Sequence, residues 1–245
     1  MSYTTSSNGR LCNQIIRNLA VSIIAEKHNL HVRYSSFDII NSIGIHLFIG
    51  NRIFDNTSII QLNDNNFFSI LYQDQIEFNL DPNKNYFQTK EITNYLYDYL
   101  RKDHIKAAII NKNPFSERYG MNNDAAVHVR LTDAAVYNPG ANYYIETLNK
   151  LSYSNAYIFT DEPTNSIIDQ IITSCPNVTV KKLNEVNTIQ FASTCKHIIL
   201  SHGSFSAIIG YLAFQSDIYY PSYEDGKIWY GDMFSIDGWN QSQSK

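Results

Sequence analysis

The chain has 245 residues, a formal net charge of −4, 44% hydrophobic residues and 17% charged residues. This composition is typical of a folded protein with one large domain or two of ordinary size. The sequence has neither a block of Lys and Arg nor about 20 uninterrupted apolar residues, which disfavours nucleic-acid binding and a membrane span.

The first half of the chain carries mostly helical spacing. Ile15, Leu19 and Ile23 recur on one face, which predicts a helix entered through a turn at residues 9–12. Residues 51–90 are rich in Asn and Asp and predict loops with short strands. The patterns predict a helix at 13–28, a strand at 31–35, a helix at 37–48 and a helix at 91–110.

The second half changes to alternating strands and helices. A break at Asn111–Pro114 and the polar residues 122–124 predict a domain boundary after residue 122, giving domains of 1–122 and 123–245. The following patterns predict strands at 125–129, 156–159 and 178–183, helices at 143–151, 162–173 and 188–194, then a strand, a polar loop and a helix within 197–214. Strands separated by such helices are typical of an α/β fold with a parallel sheet flanked by helices.

Polar residues follow three of these strands. They are His128, Arg130 and Asp133 after the first, Thr160, Asp161 and Glu162 after the second, and Ser201, His202, Gly203, Ser204 and Ser206 after the last. The carboxyl ends of parallel strands share one edge, so these groups are expected to converge. An arginine can fork onto two phosphate oxygens, and a glycine turn before a helix favours an anion. The sequence therefore predicts a phosphate or nucleotide site; the alternative is a plain surface ion pair between Arg130 and Asp133.

Other kinds of site have little support in the sequence. The three cysteines are widely spaced without a Cys-x-x-Cys pair, which disfavours a disulfide framework or a zinc site. No Asp-x-Asp occurs and the histidines are scattered, so no metal is expected. Residues 203–207 lack the second glycine of a hydrolase nucleophile elbow, and no Gly-Lys-Ser/Thr phosphate loop is present. The polar segment 1–8 lacks the apolar core of a signal peptide, so a cytoplasmic protein is expected.

Four segments, in this order, resemble motifs of the α-1,2-fucosyltransferase family. Residues 9–14, Gly-Arg-Leu-Cys-Asn-Gln, are similar to the family's Gly-Arg-Leu-Gly-Asn-Gln opening. Residues 128–133, His-Val-Arg-Leu-Thr-Asp, resemble the His-x-Arg-Arg-x-Asp motif that α-1,6- and protein O-fucosyltransferases share. Residues 157–162 resemble an apolar strand ending in Ser/Thr-Asp-Asp, and residues 195–212 resemble Cys-Lys-His…Ser-x-Phe-Ser…Tyr-Leu. The likeness extends to Trp239, which has a counterpart in the family's tail.

This resemblance implies an inverting, metal-independent glycosyltransferase with two facing Rossmann-like domains of the GT-B type. The donor is expected to be GDP-fucose, bound by the second domain without a further cofactor, and the acceptor an oligosaccharide on the first. Arg130 is expected to stabilise the leaving pyrophosphate and Asp133 to act as base or orienting group. The resemblance implies donor contacts from Arg10, Asn13, Gln14, His128, Arg130, Asp161, Gly203, Ser204, Phe205 and Ser206.

The sequence departs from the family pattern at four positions. Cys12 stands for a glycine and Leu131 for the second arginine, while Asn138 occupies the place where α-1,6 relatives carry a carboxylate base. Thr188 lies near the position where some relatives carry an acidic residue that binds the donor base or ribose. Two alternatives therefore stay open: a xylosyl or rhamnosyl donor, and a catalytically decayed module that binds a glycan or nucleotide. His202 has no family counterpart and is expected to be incidental.

Overall fold

A computed structural model describes residues 3–5, 9–55, 58–82, 85–222 and 231–242. The chain separates into two compact units, Met1–Ile109 and Ile110–Lys245. The division falls earlier than the boundary predicted after residue 122, because residues 110–122 are hydrogen-bonded into the second unit. Asn113 Nδ2 donates to the carbonyl of Gln190 at 2.9 Å, and the Tyr119 hydroxyl donates to the carbonyl of Leu212 at 3.2 Å.

The described part of the first unit consists of short parallel strands and helices. Its elements are β1 (Tyr3–Thr4), α1 (Leu11–His28), β2 (Val32–Arg33), α2 (Phe37–Ser42), β3 (Ile59–Gln61), α3 (Phe67–Leu71), β4 (Asn79–Asp81), α4 (Lys90–Leu100) and α5 (Asp103–Lys112), whose last residues enter the second unit. Strand β1 pairs with β2 and β3 with β4, each in parallel. Helix α1 is buried on nearly every face, as expected of a core helix. Within the described residues the Rossmann-like sheet predicted for this unit is not confirmed.

Two helix predictions in the first unit differ from the observed helices, one in its length and one in its continuity. The helix predicted at 37–48 ends at Ser42, and Gly44 follows with a φ of +93°. A Cβ at Gly44 would lie 2.6 Å from the Ala108 carbonyl oxygen, so only glycine fits this left-handed turn after the helix. The helix predicted at 91–110 is two helices, α4 and α5, separated at Arg101 and Lys102.

The second unit is built on one parallel sheet. Its elements are β5 (Ala125–Val129), α6 (Ala141–Asn149), β6 (Ala156–Thr160), α7 (Ser166–Ser174), β7 (Val178–Val180), α8 (Glu185–Ala192), β8 (His197–Ile199), α9 (Gly203–Tyr211), β9 (Asp217–Pro221) and β10 (Asn240–Ser242). The strand predicted at 125–129 is confirmed, and the other predicted elements differ only at their ends. Strands β9 and β10 were not predicted. The polar sequence of residues 241–245 favours a frayed tail, but Gln241 and Ser242 belong to β10, and residues 243–245 lie outside the described ranges.

The strand order in this sheet is β10-β9-β8-β5-β6-β7. The chain proceeds from β5 outward through β6 and β7, then returns to β8 beside β5 and proceeds the other way. This is the order of doubly wound sheets, and the reversal between β5 and β8 is the point at which such sheets bind ligands.

Helices cover both faces of the sheet. Ala125, Val127 and Val129 of β5 pack in one buried cluster with residues of α6 and α7. On the other face the ring of Phe191, from α8, lies 5.2 Å from that of Tyr157 on β6. Strands buried on both faces read as continuous apolar runs, which is the pattern seen in the sequence. In the described ranges, no helix is long and apolar enough to cross a bilayer.

Candidate functional site

The predicted strand ends meet at the carboxyl edge of the second unit's sheet. Strand β5 is central, with β6 on one side and β8 on the other. Arg130 directly follows β5, Asp161 directly follows β6, and Ser201 lies two residues beyond β8. The convergence expected from the sequence therefore occurs, and it occurs at the reversal between β5 and β8.

Two carboxylates flank the guanidinium of Arg130. Nη1 lies 2.6 Å from Asp161 Oδ2, and Nη2 contacts Asp133 Oδ1. The Arg130 side chain is 18% exposed, that of Asp161 22% and that of Asp133 52%. One positive and two negative charges share this cluster, so Arg130 is more than neutralised by its neighbours.

Asp161 is held by the turn that follows β5. Its carboxylate accepts hydrogen bonds from the Leu131 amide at 2.9 Å, the Thr132 amide at 3.4 Å and the Thr132 hydroxyl at 2.6 Å. Burial by itself would raise the pKa of Asp161, but the Thr132 and Leu131 hydrogen bonds and the charge of Arg130 lower it overall. Asp161 is therefore a fixed carboxylate that orients both the turn and the guanidinium.

His128 links β5 to the first turn of α9. Its Nδ1 lies 2.6 Å from the hydroxyl oxygen of Ser206, which also accepts from the Ser201 amide at 3.0 Å. Burial, aided by the nearby His202 and Arg130, lowers the pKa of His128 to about 3, so the imidazole is neutral at pH 7. Ser206 is fully buried, which makes it a support for His128 and the strand end.

Helix α9 begins with an open turn. Gly203 has a φ of +82°, a conformation that favours glycine, and no heavy atom lies within 4 Å of a Cβ built there. Ser204 and Phe205 are partly exposed, and His202 at the N-cap makes no side-chain capping bond. The first amides of a helix have no partner within the helix, and together with its dipole they favour an anion. This turn lies beside the Arg130 cluster in the same sheet edge.

His202 has a structural role that the sequence did not predict. Its side chain is buried, and Nε2 donates to the backbone carbonyl of Ala134 at 2.8 Å. Nδ1 lies 3.4 Å from the Ser201 hydroxyl, which in turn accepts from the Arg130 amide at 3.4 Å. Burial first, and the charge of Arg130 next, lower the pKa of His202 to about 4. The signal that could have found it is its position between a buried strand and the glycine that starts a helix.

Asn138 fixes the turn on its other side. Its Nδ2 donates to the Arg130 carbonyl at 2.9 Å and to the Tyr144 hydroxyl at 3.1 Å, while Oδ1 accepts from the Gly140 amide at 2.8 Å. Both ends of the Asn138 amide therefore shape the loop that follows β5.

The predicted residues of the first unit lie around the start of α1. Arg10 is the residue before the helix, and Asn13 Oδ1 accepts from Gln88 Nε2 at 2.9 Å. Gln14 donates to the Gly9 carbonyl at 2.8 Å and accepts from the Ser36 hydroxyl at 2.6 Å. Both ends of the Gln14 amide therefore stabilise the local fold. Cys12, in the first turn of α1, is buried.

A cavity of about 370 Å³ also lies in the first unit. It is lined by the segment 44–49 together with residues of α1, α4 and α5, among them Glu26, Tyr99 and His104. It contains none of the residues predicted for the donor site.

The site combines an anion-binding turn with a paired arginine. In the part of the chain that the structure describes, no group of three or more His, Cys, Asp or Glu side chains is arranged to hold a metal ion.

The sequence matches no known family model, and no curated protein matches it significantly.

Proposed function

We propose that the protein is an inverting glycosyltransferase that transfers fucose from GDP-fucose to a hydroxyl group of a glycan. The observation that carries this proposal is the position of Arg130 beside the open first turn of α9, on neighbouring strands where the sheet order reverses. A guanidinium and a row of backbone amides are the groups that bind a diphosphate without a metal.

The choice of GDP-fucose as the donor rests on the resemblance of the sequence to fucosyltransferases. The segments 128–133, 157–162 and 195–212 resemble fucosyltransferase motifs, and each contributes to the cluster at the carboxyl edge of the sheet. The same proposal assigns the chain to the GT-B type, with the donor on the second unit and the glycan acceptor on the first. A cytoplasmic location belongs to this proposal as well.

The reaction would be a single displacement at the anomeric carbon. The acceptor oxygen forms a bond to that carbon, the bond to the β-phosphate oxygen breaks, and GDP leaves with the electron pair. Arg130 and the amides of residues 203–205 would stabilise the charge that develops on the diphosphate, a contribution of roughly 3–4 kcal/mol for each well-placed donor. Asp133 would either take the proton of the acceptor hydroxyl as the base or orient the site, in which case the proton passes to water. The transition state resembles an oxocarbenium ion, as in glycoside hydrolysis.

A second candidate is a module that binds a nucleotide or glycan without turnover. Two observations favour it: two carboxylates already pair with Arg130, and Asn138 is committed to the loop where relatives place a base. A xylosyl or rhamnosyl donor is the alternative within the enzyme class, because no acidic residue occupies position 188 to read a guanosine, and Thr188 is buried.

A donor screen distinguishes these candidates. Thermal unfolding is followed with GDP, UDP, GDP-fucose and UDP-xylose, since a ligand at 100 times its Kd raises the free energy of unfolding by about 2.7 kcal/mol. Release of GDP from GDP-fucose is then measured with and without a panel of oligosaccharides. We expect stabilisation by GDP and GDP-fucose, slow hydrolysis alone and faster release with one class of acceptor. Stabilisation by GDP with no turnover of any donor would support the binding module, and no stabilisation by any nucleotide would overturn the proposal.

A further inference from the structure

We infer that the two carboxylates on Arg130 have different roles: Asp161 holds the guanidinium in place, whereas Asp133 is an exchangeable counter-ion that a diphosphate replaces. This inference rests on the proposed function, because it assigns the diphosphate of the donor to Arg130. It goes further by stating which contact must break on binding and which must persist.

Asp161 is too well anchored to leave. Its two oxygens accept hydrogen bonds from two amides and a hydroxyl in residues 131–132, in addition to the contact with Arg130 Nη1. Its side chain is mostly buried, and removing it would leave those donors unsatisfied. The Arg130–Asp161 pair is therefore a permanent part of the site.

Asp133 is much more exposed to solvent than Asp161. Its side chain is 52% exposed, against 22% for Asp161, and its carboxylate contacts Arg130 Nη2 and lies 3.5 Å from the Thr132 hydroxyl, at the limit of a hydrogen bond. It sits in the same turn as Arg130, so a rotation of its own side chain releases the guanidinium without moving a strand. Exposed ion pairs of this kind contribute little to stability, and water can replace them.

The charge of the cluster favours the departure of one of these partners. A phosphate binds arginine most strongly through two parallel N–H groups, and each carboxylate already takes one N–H group of an outer nitrogen of Arg130. With both carboxylates in place the cluster carries a net negative charge, which repels a diphosphate. Release of Asp133 leaves Nη2 open and the Arg130–Asp161 pair neutral, next to the positive end of α9. Asp133 occupies the part of the guanidinium that a phosphate oxygen would take.

The test measures the affinity for inorganic pyrophosphate by titration calorimetry at low and high ionic strength. The variants are Asp133→Asn, Asp161→Asn and, as a matched control, Asp237→Asn, which removes an exposed carboxylate in the turn before β10, at the opposite edge of the sheet. We expect Asp133→Asn to bind about three to ten times more tightly at low salt, with a smaller gain at high salt. Asp161→Asn should bind at least about tenfold more weakly, and Asp237→Asn as the wild type does.

A milder variant keeps the proposal testable if Asp161→Asn does not fold. Thr132→Val removes one hydrogen bond to Asp161 and should weaken pyrophosphate binding a few-fold, even if Asp161→Asn unfolds. Equal affinity in Asp133→Asn and the wild type would overturn the exchange, and equal tightening by both aspartate variants would overturn the division of roles. In either of those outcomes the proposed function stands. If neither pyrophosphate nor GDP binds any of the folded proteins, the proposed function itself fails.

Discussion

The imidazole of His202 donates a hydrogen bond to the backbone carbonyl of Ala134 over 2.8 Å. This bond joins the residue before α9 to the loop between β5 and α6, the two segments that flank the reversal in the strand order. A carbonyl can only accept, so Nε2 carries the hydrogen and Nδ1, facing the Ser201 hydroxyl, is the acceptor. Both turns of the candidate site therefore depend on a neutral His202.

Replacing His202 with phenylalanine should destabilise the protein even though the ring volume is nearly kept. The Ala134 carbonyl would be left without its donor, a cost of about 1–3 kcal/mol in the free energy of unfolding. Urea unfolding at pH 7 measures this loss. A variant as stable as the wild type would show that the His202–Ala134 bond contributes nothing.

The same variant should change the response of stability to acid. The pKa values of His128 and His202 are lowered from 6.5 to about 3 and about 4, respectively. As the pH falls below 6.5, both histidines are therefore protonated in the unfolded chain before they are protonated in the folded protein. The stability that the two neutral histidines contribute is fully present above about pH 6.5 and is lost as the pH falls towards 4. From pH 7 to pH 5 each histidine should cost about 2 kcal/mol.

Urea unfolding at pH 7 and pH 5 checks this prediction. His202→Phe should lose about 2 kcal/mol less than the wild type over that interval, because one proton-accepting group is gone. His197, whose pKa burial also lowers, contributes equally to both proteins. Asp161 does not enter, since its lowered pKa removes stability only at a more acidic pH. Identical pH responses would contradict the burial of a neutral His202.

Arg130 should be irreplaceable even by lysine. Lysine keeps the charge but cannot form the planar fork that binds two phosphate oxygens, so we expect Arg130→Lys to lower kcat/KM by about a hundredfold and Arg130→Ala by about a thousandfold. Initial rates of GDP release from GDP-fucose measure this. Lys196→Ala is the control, because it removes a cation paired with Asp217 at the other edge of the sheet, and it should keep most of the activity. Comparable losses in Lys196→Ala and Arg130→Lys would argue against a specific role for Arg130.

Gly203 and Gly140 form a matched pair of glycines. Both have a φ near +85°, and a Cβ on either meets no atom within 4 Å. Alanine at either position should cost about 1–2 kcal/mol of stability from backbone strain alone. Only Gly203→Ala should also weaken GDP binding, because Gly203 begins the open turn of α9. Calorimetric titration of GDP into the two folded variants checks this; equal affinities would exclude the α9 turn as the phosphate site.

Asn138→Asp introduces the residue type that the resembling α-1,6-fucosyltransferases carry but should not create a base. The new carboxylate would face the carbonyl oxygen of Arg130, which now accepts from Asn138 Nδ2 at 2.9 Å. Two acceptors in contact repel, so we expect a loss of about 1–3 kcal/mol in stability and no gain in turnover. Asn138→Ala is the comparison, because it loses the bond to the Arg130 carbonyl without adding the repulsion, although it also loses the bond from the Gly140 amide. An increase in kcat for Asn138→Asp would show that this position can supply the base.

Much of the second unit could be predicted from the sequence because its strands are short, apolar and regularly spaced. Strand β5 was predicted at its observed bounds, and the meeting of Arg130, Asp161 and Ser201 follows from the rule that parallel strands end at one edge. Strand β10 was missed because Asn240–Ser242 is polar and gains its strand conformation only by pairing with β9. The early end of α2 was missed because the apolar spacing continues past Ser42, whereas the chain takes a left-handed turn at Gly44 that packs against the distant Ala108.

The sequence by itself determined the chemistry at the sheet edge: an arginine, carboxylates, imidazoles and a glycine turn, each placed after a strand by local patterning. Only the tertiary structure decided how those groups pair. It put Asp161 and Asp133 on the same guanidinium and turned His202 from an apparently incidental residue into the link to Ala134. The physical reason is that periodicity reports which residues leave the core, whereas hydrogen bonds between loops depend on distances that no local pattern encodes.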